Sequence, residues 1–179
     1  TPVFQGQLLG TTRALNEVWR RISAKYTCWL SDDTEIVDGA LDLAVRILDK
    51  HTEIGMVGLK MKDTVGPWAT EPYMGGISHY GILNVNHGVL RMDLLKSVSY
   101  LNESYYSYMF DPDLTSSVLS AGMTVVMTKQ VCVLHHREWS VSENEEDRTR
   151  RRNLLLEGRA IYREKFKYLS KSRIPMARV

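Results

Sequence analysis

The sequence predicts an α/β fold: a mixed, mainly parallel sheet with helices on both faces. Three observations carry that expectation. Tyr26-Thr-Cys-Trp-Leu30 is an uncharged run of β-branched and bulky residues that suits a buried strand. Ile54-Gly-Met-Val-Gly-Leu-Lys-Met61 is a second such run, with glycines where neighbours come close. Between them Leu41, Ala44, Val45, Ile47 and Leu48 recur at helical spacing. Strand, helix and strand at that spacing argue for a largely parallel arrangement.

Length and composition set the frame. A chain of 179 residues is long enough for one domain with a proper core. Its 44% hydrophobic and 25% charged residues are an ordinary soluble balance. The net charge of +2 is too small to imply a polyanionic partner. Cys28 and Cys132 both lie in apolar runs and read as reduced core residues, which favours a cytoplasmic compartment over a secreted one. No apolar run approaches the roughly 20 residues of a membrane span. The expected organisation is a single domain over 1–179, with a core at 1–141 and a basic C-terminal helix and tail at 142–179.

In chain order, Thr11 or Thr12 can cap a helix whose apolar positions are Leu15, Val18 and Ile22, with Arg13, Glu17, Arg20 and Arg21 outward. The first strand then runs into Ser31-Asp-Asp-Thr-Glu35, and Asp38 or Gly39 opens the amphipathic helix. After the second strand, residues 63–88 form a loop region punctuated by Gly66-Pro67, Pro72 and Gly75-Gly76 and decorated by Trp68, Tyr73, His79 and Tyr80. A short strand over 84–90 and a helix from Asp93 follow. Tyr105-Tyr-Ser-Tyr-Met-Phe-Asp-Pro-Asp-Leu114 is a second acidic turn leading into a helix, with Pro112 suited to its first turn and Gly122 stopping it. Met123–Met127 and Gln130–Leu134 read as two short strands ending at His135-His136. An acidic stretch at 142–147, a basic one at 148–152 and a helix over 153–169 close the chain.

Carboxylates at the C-terminal end of a strand lie where α/β sheets bind ligands, and they suit a hard divalent cation carrying phosphate oxygens. Taken alone, Asp32 and Asp33 fit a helix cap better than a metal site. Asp111 and Asp113 equally suit a cap, and His135 or His136 a strand end satisfied by backbone. Each plain role is the commoner one by itself; three such features in this order make it less convincing. One carboxylate with one imidazole is a sensible donor set for manganese or magnesium, and a separate carboxylate can take a proton from an attacking hydroxyl.

Leu30-Ser-Asp-Asp-Thr-Glu-Ile-Val-Asp-Gly-Ala-Leu41, followed by Ile54-Gly-Met-Val-Gly-Leu-Lys60, resembles the middle of family 2 glycosyltransferases of the GT-A fold. Tyr108-Met-Phe-Asp-Pro-Asp-Leu114 with Gly122 is similar to that family's Glu-Asp-x-Asp-Leu segment and its later glycine. Val133-Leu-His-His-Arg-Glu-Trp-Ser140 is similar to its terminal histidine motif, and Gly10–Ala24 to the helix before the metal turn. The match spans most of residues 9–140, and its order and spacing are more specific than any one motif. The resemblance implies transfer of a sugar from a nucleotide-diphosphate donor to a hydroxyl of a glycan, lipid or protein, with inversion. It implies a divalent cation, manganese or magnesium, at Asp33 with His135 or His136, and donor contacts from Asp32 and Asp33. It makes Asp111 the general base, and it places Trp68, His87 and Asp113 on the acceptor side.

Ser31, Phe110 and Ser117 depart from the family's usual residues, and its opening strand, helix and strand have no counterpart before residue 9. The expectation is therefore a GT-A-like chain truncated at its N-terminus. Two other classes stay open. One is a non-catalytic sugar- or partner-binding module. The other, ranked last, is a nucleic-acid binder using Arg148, Arg150, Arg151 and Arg152 with Arg159, Lys165 and Lys167, which the acids at 143–147 oppose. No nucleic acid is expected, and any membrane association would come through acceptor or partner.

Overall fold

The computed structural model describes residues 2–66, 69, 71–73, 75–78, 80–137 and 144–168, and the backbone of 176–178. Its strands are β1 (Tyr26–Trp29), β2 (Thr34–Ile36), β3 (Ile54–Asp63), β4 (Gly88–Arg91), β5 (Thr124–His135) and β6 (Met176–Arg178). Its helices are α1 (Thr11–Arg21), α2 (Ala40–Lys50), α3 (Met92–Ser97), α4 (Phe110–Ser120) and α5 (Glu145–Lys165). The strands form one sheet in the order β1-β4-β3-β5-β2, with β6 also on β5.

The α/β class and the mixed sheet agree with expectation, but the sheet is not mainly parallel in its pairing. β3–β5 and β5–β6 are parallel, while β1–β4, β3–β4 and β2–β5 are antiparallel. Antiparallel β4 separates β1 from β3, so those two run the same way without touching. β1, β3 and β5 therefore end at one edge of the sheet, and that edge carries the chemistry.

Alternation along the strands divides the core into two layers. Met56, Leu90, Val125 and Met127 pack with Trp19, Leu95, Leu114 and Val118 on the face covered by α1, α3 and α4. Val57, Val89, Val126 and Val133 pack with Ala40, Ala44, Ile47 and Leu48 of α2 on the other. Period-two side chains on a strand dictate this division, and helices do cover both faces.

Several elements differ locally. The buried residues of α1 are Thr12, Asn16 and Trp19 rather than an apolar stripe, and Gly10, not a threonine, holds the cap position. The two short strands expected over 123–127 and 130–134 are one strand, β5 (Thr124–His135). Its ladder with β3 jumps from Gly58↔Met127 to Lys60↔Val131, so the exposed Lys129-Gln130 belongs to a bulge. The last helix begins at Glu145, capped by Asn144, whose side chain accepts a 2.9 Å bond from the Asp147 N–H. Thr34 and Glu35, expected within the acidic turn, belong with Ile36 to the edge strand β2.

Candidate functional site

The acidic turn is held across the strand ends by β2. Thr34 pairs with His135 in the β2–β5 ladder, the His136 N–H donates to the Asp33 carbonyl at 2.8 Å, and the Thr34 hydroxyl closes the turn onto the Ser31 carbonyl at 2.6 Å. Asp33 consequently lies beside the last residue of β5, with its Oδ2 3.2 Å from His135 Nε2.

On the other side of the imidazole stands a carboxylate that sequence reasoning passed over. Asp63 ends β3 opposite His135 in the parallel ladder. It is fully buried, and its Oδ1 lies 3.0 Å from His135 Nδ1. Tyr73 donates to the same oxygen at 2.7 Å and Arg137 Nη1 to Oδ2 at 3.0 Å. Burial pushes this carboxyl upward, but the bonds from Tyr73, Arg137 and His135 outweigh it and hold the pKa below the usual range. The result is a carboxylate–imidazole–carboxylate chain whose inner end is fixed and whose outer end faces a cleft.

That cleft, about 570 Å³, brings together Asp32, Asp33, His87, Asp111, His135 and Arg137, with Arg151 on its wall. Asp111 reaches it from the first turn of α4. The residue is only partly covered, yet its carboxyl sits among protein atoms, and this desolvation lifts the pKa to about 7 against the pull of its own backbone N–H. His87 is buried, and burial first, then the neighbouring His135, push its pKa down to about 4. A bond to the Trp29 backbone holds the ring, and among the described residues its buried Nδ1 has no partner.

Two expected site residues lie elsewhere. His136 is not at the metal position: its Nε2 is 3.3 Å from Glu35 and its Nδ1 3.1 Å from the Thr64 hydroxyl. Successive residues of a strand point to opposite faces, so only one of the two histidines can enter the cleft. Asp113 is not on an acceptor surface either. It is buried, accepting from the Tyr105 hydroxyl at 2.9 Å and from Lys165 at 2.6 Å. Two residues along a helix do not share a face, so Asp111 borders the cleft while Asp113 enters the core. Trp68 lies outside the described residues.

The donors present fit a divalent cation in one respect. Asp33 Oδ2 and His135 Nε2 adjoin each other, and Asp63 orients the imidazole through its other nitrogen, the usual support for a metal-binding histidine. Among the described residues no group of three or more His, Cys, Asp or Glu side chains is placed to hold a metal. Two protein donors with substrate phosphate and water completing the shell is an arrangement magnesium commonly takes. The Cys28 thiol is no rival nucleophile, since burial pushes it up to about 12. Among the described residues no helix is long and apolar enough to cross a membrane.

No protein-family model matches this chain, and no curated protein matches it either.

Proposed function

We propose that this chain carries the catalytic cleft of a GT-A-like, cytoplasmic glycosyltransferase that moves a sugar from a nucleotide diphosphate to an acceptor hydroxyl with inversion. The observation that carries the reading is the meeting of Asp33, Asp111 and His135, from three separate parts of the chain, on one cleft. Asp33 and His135 would hold manganese or magnesium, and such a cation would offset the charge gathering on the departing diphosphate. Arg137 and Arg151 on the same walls add positive charge for the phosphates. Asp63 fixes the ring of His135 through Nδ1, so that Nε2 faces the ligand.

Asp111 takes the proton. As the acceptor oxygen bonds to the anomeric carbon, the bond from that carbon to the diphosphate breaks on the opposite side. The hydroxyl proton passes to the Asp111 carboxylate. A carboxyl poised at about pH 7 suits a general base near neutrality far better than an ordinary aspartate. His87 lines the same cleft as a buried, neutral imidazole.

The test is turnover against a panel of nucleotide sugars with manganese or magnesium and mixed glycan acceptors, read as released nucleoside diphosphate. Transfer is expected, and Asp111→Asn should slow it on the order of 10²-fold or more with donor affinity kept. Donor binding without any turnover would replace this reading with a binding module.

A further inference from the structure

Two cavities meet at Asp111. Beyond the cleft, a second cavity of about 430 Å³ lies between residues 76–78 and 84–86, the start of α4 and the flank of α5. Asn86, Tyr108 and Asp111 belong to the walls of both. A base on a shared wall can reach a hydroxyl delivered from the second cavity while the donor fills the first.

The polar groups of the second cavity have a definite character. Arg159 and Arg163 line it from α5, four residues apart and hence on one helix face. Both are exposed, and neither side chain has an ion-pair partner among the described residues. Their stretch of helix is anchored, because the buried Tyr162 hydroxyl bonds Ser116 at 2.7 Å and Ser78 at 3.1 Å. Asn84 lines the same cavity, is 6% exposed, and among the described residues its Oδ1 has no partner. Leaving a buried acceptor unmatched is costly, and a ligand hydroxyl donating to it would recover that cost. Exposed arginines alone are usually just solvated. A cavity beside them, an orphaned buried acceptor in its lining and a carboxyl of the reacting cleft on the shared wall give this pair a ligand to hold.

We propose that this second cavity is the acceptor subsite and that the acceptor is an acidic polyol, a hydroxyl-rich sugar-like molecule bearing a carboxylate or phosphate. Arg159 and Arg163 take the anion, Asn84 Oδ1 accepts from one hydroxyl, and the attacking hydroxyl lies at Asp111. The catalytic part rests on the transferase reading; recognition of the anion does not.

Binding is measured without donor, by NMR titration of the protein with methyl glucuronide, glucose 6-phosphate and methyl glucoside. At least one anionic probe should bind about tenfold or more tightly than the neutral glucoside, the scale of charge-assisted hydrogen bonds. Arg159→Ala/Arg163→Ala should erase that advantage with melting temperature unchanged, and Arg159→Lys/Arg163→Lys should keep part of it. Whichever anionic probe binds better identifies carboxylate or phosphate as the preferred group. Equal affinity for charged and neutral probes overturns the proposal. So does an advantage that survives the double alanine variant, or no binding of any probe at millimolar concentration. Absence of turnover with every nucleotide sugar would remove the transferase reading and leave the binding result standing.

Discussion

Asp111 sits where two effects oppose each other. The N-terminal end of α4 favours a negative charge by about 0.3–1 kcal/mol, less than the roughly 1.4 kcal/mol of one pKa unit. Desolvation is the larger effect, and the carboxyl rises to about 7. Between the unfolded value of about 4 and that folded value, the native state keeps a proton that the unfolded chain has lost. Stability therefore falls as pH rises through this window and levels off above it. Asp111→Asn should accordingly be more stable than the parent at pH 8, with the gap narrowing as pH falls and closing below about pH 4, read as melting temperatures. Transfer by the parent should rise with pH through about 7, as the base ionises. A variant less stable than the parent at pH 8 would mean that the carboxylate makes favourable contacts that desolvation does not overcome. Asp63 behaves in the opposite way. Its pKa is depressed, so its contribution is full above about pH 4 and is lost as pH falls through the folded value. Asp63→Asn should cost about 1–3 kcal/mol in denaturant unfolding at neutral pH and weaken manganese affinity roughly 10–100-fold. Unchanged metal affinity would mean that His135 needs no orienting partner.

At the scale of elements, what was legible followed local rules and what was missed depended on contacts distant in the chain. The first and third strands, α2 and the acidic start of α4 declare themselves through apolar runs, helical spacing and a well-placed proline. The inner face of α1 does not, because Thr12 and Asn16 are polar yet buried. Asn16 is buried because its side chain donates to the Leu101 carbonyl at 2.8 Å and accepts from the Leu101 N–H at 3.0 Å, mimicking a strand partner for a segment 85 residues away. Asn16→Ala would strand both backbone groups, and we expect a loss on the order of 1–3 kcal/mol in urea unfolding with α1 still helical. A loss of only a few tenths would show that water takes over those bonds. Likewise the sequence divides β5 in two, because Lys129-Gln130 interrupts its apolar pattern. A bulge explains the interruption: the Thr128 hydroxyl accepts the Lys60 N–H at 2.9 Å, so the backbone stays satisfied. Asp63 was overlooked because its partner His135 becomes a neighbour only through the register of a parallel ladder. The one local signal was a lone carboxylate ending a buried strand. The metal turn, by contrast, was readable as a group of acids, but β2 decides which of them faces the imidazole.

At the scale of the molecule, the site is assembled from the ends of β1, β3 and β5 and the beginning of α4, so a ligand there joins elements contributed by most of the chain. A ligand that binds the native state alone stabilises the whole cooperative unit by about 2.7 kcal/mol at a hundredfold of its Kd. For a chain of this size that is roughly 5–10 °C in melting temperature. Manganese with a nucleoside diphosphate should raise the Tm of the parent by that order. Manganese alone should do less, because Asp33 and His135 are two donors and the phosphates supply others. Asp33→Ala should abolish the joint shift, whereas Asp111→Asn should retain it, since its carboxyl serves the acceptor hydroxyl rather than the donor. Asp33 is a partly exposed turn residue, so its removal should cost the unliganded fold little. A parent-sized shift in Asp33→Ala would reduce that residue to a turn former. Loss of the shift in Asp111→Asn would place Asp111 among the donor contacts and leave the proton without its acceptor.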